Sequence, residues 1–479
     1  MSNPASIKSS AGANSSSIGL REKVGYACGD TASVLYYRSF AMFLMYFYTD
    51  VFGMAEAMVA TMFLVTRFWD AFNDPLMGII ADRTRSRFGK FRPWLRWMLL
   101  PWVVSGILVF TVPDLGQNAK IIYAWVTYIA SGMVYTAINI PYGALMGVIS
   151  PHRDDRTVLA SYRFYGAYLG DFIVKGSMLW LVLKLGGGDE AVGFQRTMIL
   201  YAGLSSILFL GTFYATKERV LPPADQKSDV FQDLSELLRN GPWLAISGMG
   251  ICTLLWISVR DGATLYFFKY YVGNFEKWAT IFLVSGTAAT FAGVALTKWA
   301  THILGGKRPA FIVLTLIVSA ISSLFYFVRA DQIVFILLIQ IIASLVAGPL
   351  MPLFWSMVAD TADFGEWKNG RRITGLTFSA GTFSQKAGWA IGGSIAGFML
   401  AAYGYEANVQ QTPEAIGGIR LMMGAVPAVI GLFTAGLGLL YRIDGKLEAQ
   451  IEADLRTRRL AGVTGDTQMS SNEPTREFN

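Results

Sequence analysis

Apolar residues fill long runs of this chain, and polar residues are confined to the stretches between them. About twelve runs come near the ~20 residues that a helix needs to cross a bilayer. They cover roughly 24–50, 56–80, 95–113, 120–149, 161–184, 196–216, 242–272, 277–302, 309–329, 332–358, 374–402 and 417–441. The runs are too long and too uniformly apolar for the alternating strands of about ten residues that build a membrane barrel. The pattern predicts an all-α membrane protein with twelve transmembrane helices. After the sixth run comes a long polar stretch, "KERVLPPADQKSD", with two prolines. Residues 217–241 therefore read as a linker between two six-helix halves, 23–216 and 242–444. Residues 1–22 are rich in Ser, Ala and Asn and lack an apolar core or cleavage site, so they read as a disordered tail and not as a signal peptide. Residues 445–479 read as a polar tail that begins as a fraying helix.

Composition strengthens this picture: 53% of the 479 residues are hydrophobic and only 15% charged, against about 25% charged in soluble domains. A net charge of +7 would suit nucleic acid or acidic lipid if the bases formed one patch. They sit instead in short loops. Arg83, Arg85, Arg87, Lys90, Arg92 and Arg96 follow the second run, and the next loop holds only Lys120. Arg153 and Arg156, Lys307 and Arg308, and Arg371 and Arg372 lie in later loops of the same side. Positive loops mark the cytoplasmic face, so both termini are expected there and a nucleic-acid partner is not. The basic turn recurs, as "DRTRSRFGKFRP" after the second helix of the first half and "LGGKRP" after the second helix of the other. Two related halves around a midplane site are a common transporter plan. Cys28 and Cys252 fall in predicted helices and suggest no disulfide framework. His152 and His302 offer no zinc spacing, and no nucleophile–His–acid set suggests an enzyme. No cofactor is expected.

The chemistry begins where a helix breaks the rules. "RFWDAFNDPLMGIIADR" places Asp70, Asn73 and Asp74 inside an apolar stretch. A carboxylate at a helix centre costs roughly 2.5–3.5 kcal/mol on insertion scales. The i, i+3, i+4 spacing puts all three on one face. They offer oxygen ligands, which hard cations prefer, or a shared proton. The set reads as a coupling-ion site for a hard monovalent or divalent cation, with Na⁺ on Asp70 and Asp74, or for H⁺; the alternative is a structural pair satisfied by Arg67 or a base from another helix. On the fourth helix Thr136 and Asn139 share a face above Pro141, where the Thr136 hydroxyl and a freed carbonyl offer to complete a cation's shell; the alternative is a hydroxyl that bonds its own backbone.

Several stretches resemble the glycoside–pentoside–hexuronide:cation symporter family, which includes the melibiose permeases: "FLMYFYTDVFG", "RFWDAFNDPLMGIIADRTRSRFGKFRPW", "NIPYGALMGVIS", "ASYRF" and "VADTADFGEW". The resemblance runs from about Gly25 to Tyr441. It implies a major-facilitator fold in a bacterial inner (plasma) membrane and sugar uptake coupled to Na⁺, Li⁺ or H⁺. The family's cation pattern falls on Asp70, Asn73, Asp74 and Thr136. Its helix-five Arg and helix-eleven Lys match Arg163 and Lys386. Melibiose permeases hold the galactoside with an Asp on helix one, another on helix four, and a stacking Trp; here those positions are Val34, Asn139 and Gly143. A galactoside pocket of that type is therefore not expected.

Other polar residues inside the runs are candidates for the substrate: Tyr26, Asp30, Arg38, Asn139, Tyr142, Arg163, Arg260 and Lys386. Further buried charges are Asp171, Lys175, Asp261 and Lys269. Intramembrane bases face a cavity or a partner, and several around one cavity suit a uronide or acidic oligosaccharide. A neutral glycoside or pentoside is the alternative, with the bases then only balancing carboxylates. Tyr37, Tyr266, Tyr270 and Trp389 add rings that stack on sugars or simply pack. A cytoplasmic gate is expected in which Asp82 accepts bonds at a helix end while Arg83 and Arg87, with Arg153 in the same layer, pair with Asp360, Asp363 and Glu366; the alternative is that these arginines only hold their loops inside. The glycine pairs Gly25/Gly29 and Gly388/Gly392 read as close helix packing and not as a dimer seam, so a monomer is expected. Two rival classes remain: a membrane-embedded transferase, and a sugar sensor that does not transport.

Overall fold

The computed structural model describes residues 18–150, 153–219, 237–369, 374–451, 453–455 and 457. Among them every regular element is helical. In the first part of the chain the helices are α1 (Leu20–Tyr46), α2 (Glu56–Arg83), α3 (Arg92–Trp97), α4 (Leu99–Val109), α5 (Gln117–Ile149), α6 (Arg153–Gly186) and α7 (Glu190–Ala215). In the second part they are α8 (Gly241–Tyr266), α9 (Phe275–Ala295), α10 (Thr297–Ile303), α11 (Lys307–Phe327), α12 (Ile333–Ala347), α13 (Leu350–Asn369), α14 (Thr374–Ala402), α15 (Pro413–Met423) and α16 (Ala425–Leu440). Eight helical stretches among the described residues are long and apolar enough to cross a membrane.

Each apolar run of the sequence is helical, and four are broken once. Runs 95–113 and 277–302 are interrupted near Met98 and Leu296. Run 332–358 stops at Gly348 and restarts after Pro349, which has no N–H to offer; a Cβ on Gly348 would meet the backbone of Gly293. Run 417–441 breaks at Gly424, which lies against the backbone of Tyr326. Among the described residues, three of the helices named above start with a side-chain cap. Asp189 accepts from the N–H groups of Ala191 (2.8 Å) and Val192 (3.2 Å). Asn240 accepts from Trp243 N–H, and Thr412 from Ala415 N–H.

In the first part α1 packs along α6 and α7; in the second, α8 packs along α14 and α16. The parts meet where α2 runs beside α14, α6 beside α9 and α1 beside α8. Gly388 and Gly392 of α14 let that helix close on α8, since a Cβ on either would overlap the carbonyl oxygen of Ile251 or Leu255. These glycine pairs thus serve packing within one chain. Both α1 and α8 end in a π-turn, Phe47–Val51 and Phe267–Val272. Each turn leads into a glycine with positive φ, Gly53 (83°) and Gly273 (80°), a conformation glycine adopts without steric cost.

The described start of the linker and the described part of the segment after Gly445 are both held by side chains. The linker begins with Lys217 N–H and the Arg219 guanidinium both on the Glu22 carboxylate. The segment after Gly445 is not simply fraying: Glu448 pairs with Lys307 at 2.7 Å, and Trp367 Nε1 donates to Asp454 at 2.8 Å.

Candidate functional site

The carboxylates of α2 face α5 and α14. Thr136 Oγ1 donates to Asp74 Oδ1 at 2.9 Å, which joins these two members of the predicted ion set. Asp70 lines a cavity of about 390 Å³ with Thr136, Tyr37, Gln385, Lys386 and Trp389. The Nδ2 of Asn73 is buried and finds no hydrogen-bond partner among the described residues. A half-turn of that amide exchanges the idle donor for an oxygen, which a cation accepts.

For Asp74 the structure supplies the base from another helix that the sequence left as the alternative to an open ion site. Lys386 of α14 donates to Asp74 Oδ2 and forms an ion pair with it. Placed by the sequence among substrate residues, Lys386 lines this cavity and also bonds Asp74 of the predicted ion set. No spacing rule could have found the contact, because the partners are brought together only by the packing of α2 on α14. The pair is not sealed: the Lys386 side chain is 41% exposed and that of Asp74 22%, so a small ion can reach it. The side chain of Arg67, the base weighed from the sequence, lies outside the described residues.

A second cavity, of about 360 Å³, adjoins the first. Tyr37 lines both. Arg38 belongs to the second and lies over the Trp389 ring of the first, 5.4 Å from its centre. In this second chamber Arg38 bonds Asp171 and reaches Asp261 of α8 at 3.3 Å. Lys175 pairs with Asp171 at 2.8 Å and donates to Thr287 of α9 at 2.9 Å. Thr287 in turn donates to Asp171 at 3.1 Å. This network ties the two parts of the chain together at mid-depth. Arg260 stands apart. It donates to Gln340, and its guanidinium carbon lies 4.8 Å from the centre of the Phe325 ring. Among the described residues no carboxylate lies within ion-pair distance of it, and it is buried. Three cations thus face two carboxylates on this wall.

Five expected substrate residues lie elsewhere. Arg163 grips Asp30 with two bonds, at 2.7 and 3.2 Å. Its guanidinium rests 5.2 Å from the ring centre of Tyr142, which stacks on Tyr26 at 4.9 Å. Each tyrosine hydroxyl donates to the other's carbonyl, at 3.2 and 2.7 Å. Gly29 makes this possible, because a Cβ there would strike the Tyr142 ring. Asn139 accepts from Ser33 at 2.6 Å and donates to Tyr135 O at 3.0 Å. None of these residues lines either cavity; in this conformation they pack α1 against α5 and α6.

The expected gate also differs. Asp360 is held by Lys307 at 2.8 Å, and the same ammonium takes Glu448. Its partner is thus the second basic turn and not Arg83 or Arg87, which are both exposed. Lys307 is the nearer cation because it starts α11 beside α13 in the same part of the chain. Asp363 and Glu366 both have interaction partners. The side chains of Asp82 and Arg153 lie outside the described residues. One polar cluster was not anticipated as a unit, although Lys269 and Tyr270 stood among the candidates. Asp50, at the end of α1, meets Lys269 and Tyr270, at the end of α8. The signal was present as two similar strings, "YFYTDVFG" at 46–53 and "YFFKYYVG" at 266–273.

Residues 25–445 match the family described as MFS/sugar transport protein. A relative named putative glycoside/cation symporter YagG, from Escherichia coli (strain K12), is 39% identical over 441 residues, covering 91% of this chain and 94% of that protein. The isoprimeverose transporter of Lactiplantibacillus pentosus is 33% identical over 441 residues, covering 91% of each chain. Among solved structures, a bacterial homologue of the human lysosomal transporter Spinster, inward-facing and unoccupied, superposes with a TM-score of 0.61 at 12% identity, covering 89% of this chain and 98% of that one; this likeness shows a major-facilitator fold. The chain belongs to the MFS/sugar transport protein family, and its work is secondary active transport of a sugar- or glycoside-type substrate across a membrane.

Proposed function

We propose that this protein is a cation-coupled symporter of the glycoside–pentoside–hexuronide type. It works as a monomer of twelve transmembrane helices in two six-helix halves, with both termini cytoplasmic. The observation that carries the reading is the Asp74 carboxylate, shared by Thr136 and Lys386 at the edge of a cavity. A cation that takes Asp74 must displace an ammonium. The freed Lys386 then faces the cavity, where a sugar hydroxyl or carboxylate can meet it. Ion binding and sugar binding are coupled by that exchange, and the coupling is reciprocal. Na⁺, Li⁺ and H⁺ all suit the oxygen set. An inward potential adds about 2.3 kcal/mol per charge per 100 mV. The two halves then rock to expose the chamber on the other side.

An acidic sugar, such as a uronide, is the favoured substrate. The excess of cations around the second chamber supports it, and Arg260 has the planar fork that binds carboxylates in two bonds. Right-side-out vesicles with an imposed Na⁺ or H⁺ gradient test the whole reading against a panel of uronides, pentosides and neutral glycosides. Gradient-driven accumulation of an acidic sugar is expected, and its loss in Asp74→Cys at normal protein level. Exchange of uncharged sugars only would establish the neutral alternative. Binding without accumulation would establish a sensor.

A further inference from the structure

The two π-turns are copies of one device. "YFYTDVFG" and "YFFKYYVG" align so that Tyr46 matches Tyr266, Thr49 matches Lys269 and Asp50 matches Tyr270, and each string ends in its positive-φ glycine. A π-turn inserts one extra residue and re-aims the side chains that follow, and such turns gather at functional sites. Here the re-aimed side chains meet. The Asp50 side chain is fully buried and pairs with Lys269 at 2.9 Å. It also accepts from Tyr270, from Tyr405 at 2.7 Å and from Thr49 at 2.7 Å. Lys269 spends its other two donors on Tyr46 at 2.9 Å and Asn408 at 2.8 Å. Thr49 and Tyr266 share a bond of 2.8 Å, and Tyr46 donates to Glu190 at 2.9 Å. Asn408 N–H donates to Tyr270 at 2.9 Å. The acid comes from one repeat and the base from the other.

Every donor of the ammonium is used, so the cluster has no vacancy for a ligand. Its members come from both parts of the chain, and they lie at the membrane face where α1 and α8 end. At the opposite face the pairs Glu22–Arg219 and Lys307–Asp360–Glu448 each join residues of one part only. We propose that Asp50, Lys269, Tyr270 and Tyr405 form the outer latch of the transporter, which shuts the chamber from outside and is broken and remade in every cycle. The placement outside rests on the orientation argued above. Burying two charges carries a desolvation penalty. Opening returns water to both, so the latch is tight when closed and still reversible.

The test uses the full chain in whole cells, with Cys28→Ser and Cys252→Ser and one reporter, Gly393→Cys. Gly393 lines the first cavity, and a Cβ there meets nothing closer than 3.7 Å. A membrane-impermeant maleimide is added outside. Asp50→Asn and Lys269→Gln each remove a charge-assisted bond, so labelling should rise about tenfold or more. The exchange Asp50→Lys with Lys269→Asp should return it toward the parent value. Tyr405→Phe keeps both charges and removes one donor; it stays informative if the charge variants fail to fold, and should raise labelling severalfold. Unchanged labelling in folded Tyr405→Phe and Asp50→Asn would overturn the latch. A rise seen only with inside-out vesicles would keep the latch and overturn the orientation. The readout needs neither the sugar nor the coupling ion, so the outcome is independent of whether the symport reading survives.

Discussion

Replacing Lys386 by Gln should make the transporter bind its cation more tightly and couple it less. The ammonium of Lys386 occupies one oxygen of Asp74 while Thr136 holds the other. A hydrogen bond between charged groups contributes about 1.5–3 kcal/mol net. Both partners here are partly exposed, and solvent screening lowers this to about 1–2 kcal/mol. The arriving cation has to overcome that amount in the parent and not in the variant. At 1.4 kcal/mol per tenfold, its affinity should rise by about five- to thirtyfold. The same change removes the group that ion binding releases, so sugar affinity should no longer depend on the ion. Calorimetric titration of the purified variant with Na⁺, with and without the sugar chosen by the vesicle panel, measures both quantities. Lys386→Arg keeps the charge and should stay near the parent affinity. Weaker ion binding in Lys386→Gln, with sugar and ion still linked, would refute the displacement argument: Lys386 would then be helping to seat the ion and not competing with it.

Arg260→Gln should raise the half-saturation concentration for an acidic sugar by about tenfold or more, the worth of one lost charge-assisted bond, and leave neutral glycosides unchanged in the same counterflow assay. Asp171→Asn leaves Arg38 and Lys175 with Asp261 as the remaining carboxylate of the network, and should destabilise the fold by about 3–5 kcal/mol; adding Lys175→Gln should recover part of the loss in a thermal-shift measurement. Gly388→Val drives a side chain into the Ile251 carbonyl, and should cost about 1–3 kcal/mol, read as lower melting temperature without a change in ion affinity in the protein that remains folded.

The helices were legible because a bilayer imposes long apolar runs, and lipid leaves the chain no other way to satisfy its backbone. The breaks at Gly348–Pro349 and Gly424 were less so, since glycine is common in such chains and only its neighbours decide whether it bends one. For the proposed ion set, the shared face of Asp70, Asn73 and Asp74 and the hydroxyl of Thr136 were readable within single helices, while the Thr136–Asp74 bond depends on how two helices pack. Lys386 on Asp74 was not readable either, because that contact depends on how α14 lies on α2. The same limit explains Arg163 and Asp30. Both were recognised as intramembrane charges, yet their mutual grip, and the tyrosines that cover it, required the distance between α1 and α6. Asp360 takes the second basic turn in this conformation for a related reason, as two turns of similar composition compete for it. The strings at 46–53 and 266–273 were readable as a repeat, and comparing the halves residue by residue would have found the latch.

Tyr37 is a party wall. It lines both the chamber that holds Asp70 and the chamber that holds Arg260, with Trp389 set edge-on beside its ring. On the symport reading proposed above, a turn of α1 that moves this ring alters both rooms at once. A graded series of substitutions at this position should therefore move ion and sugar half-saturation together, in a fixed proportion, and independent movement would show that the rooms do not share their partition.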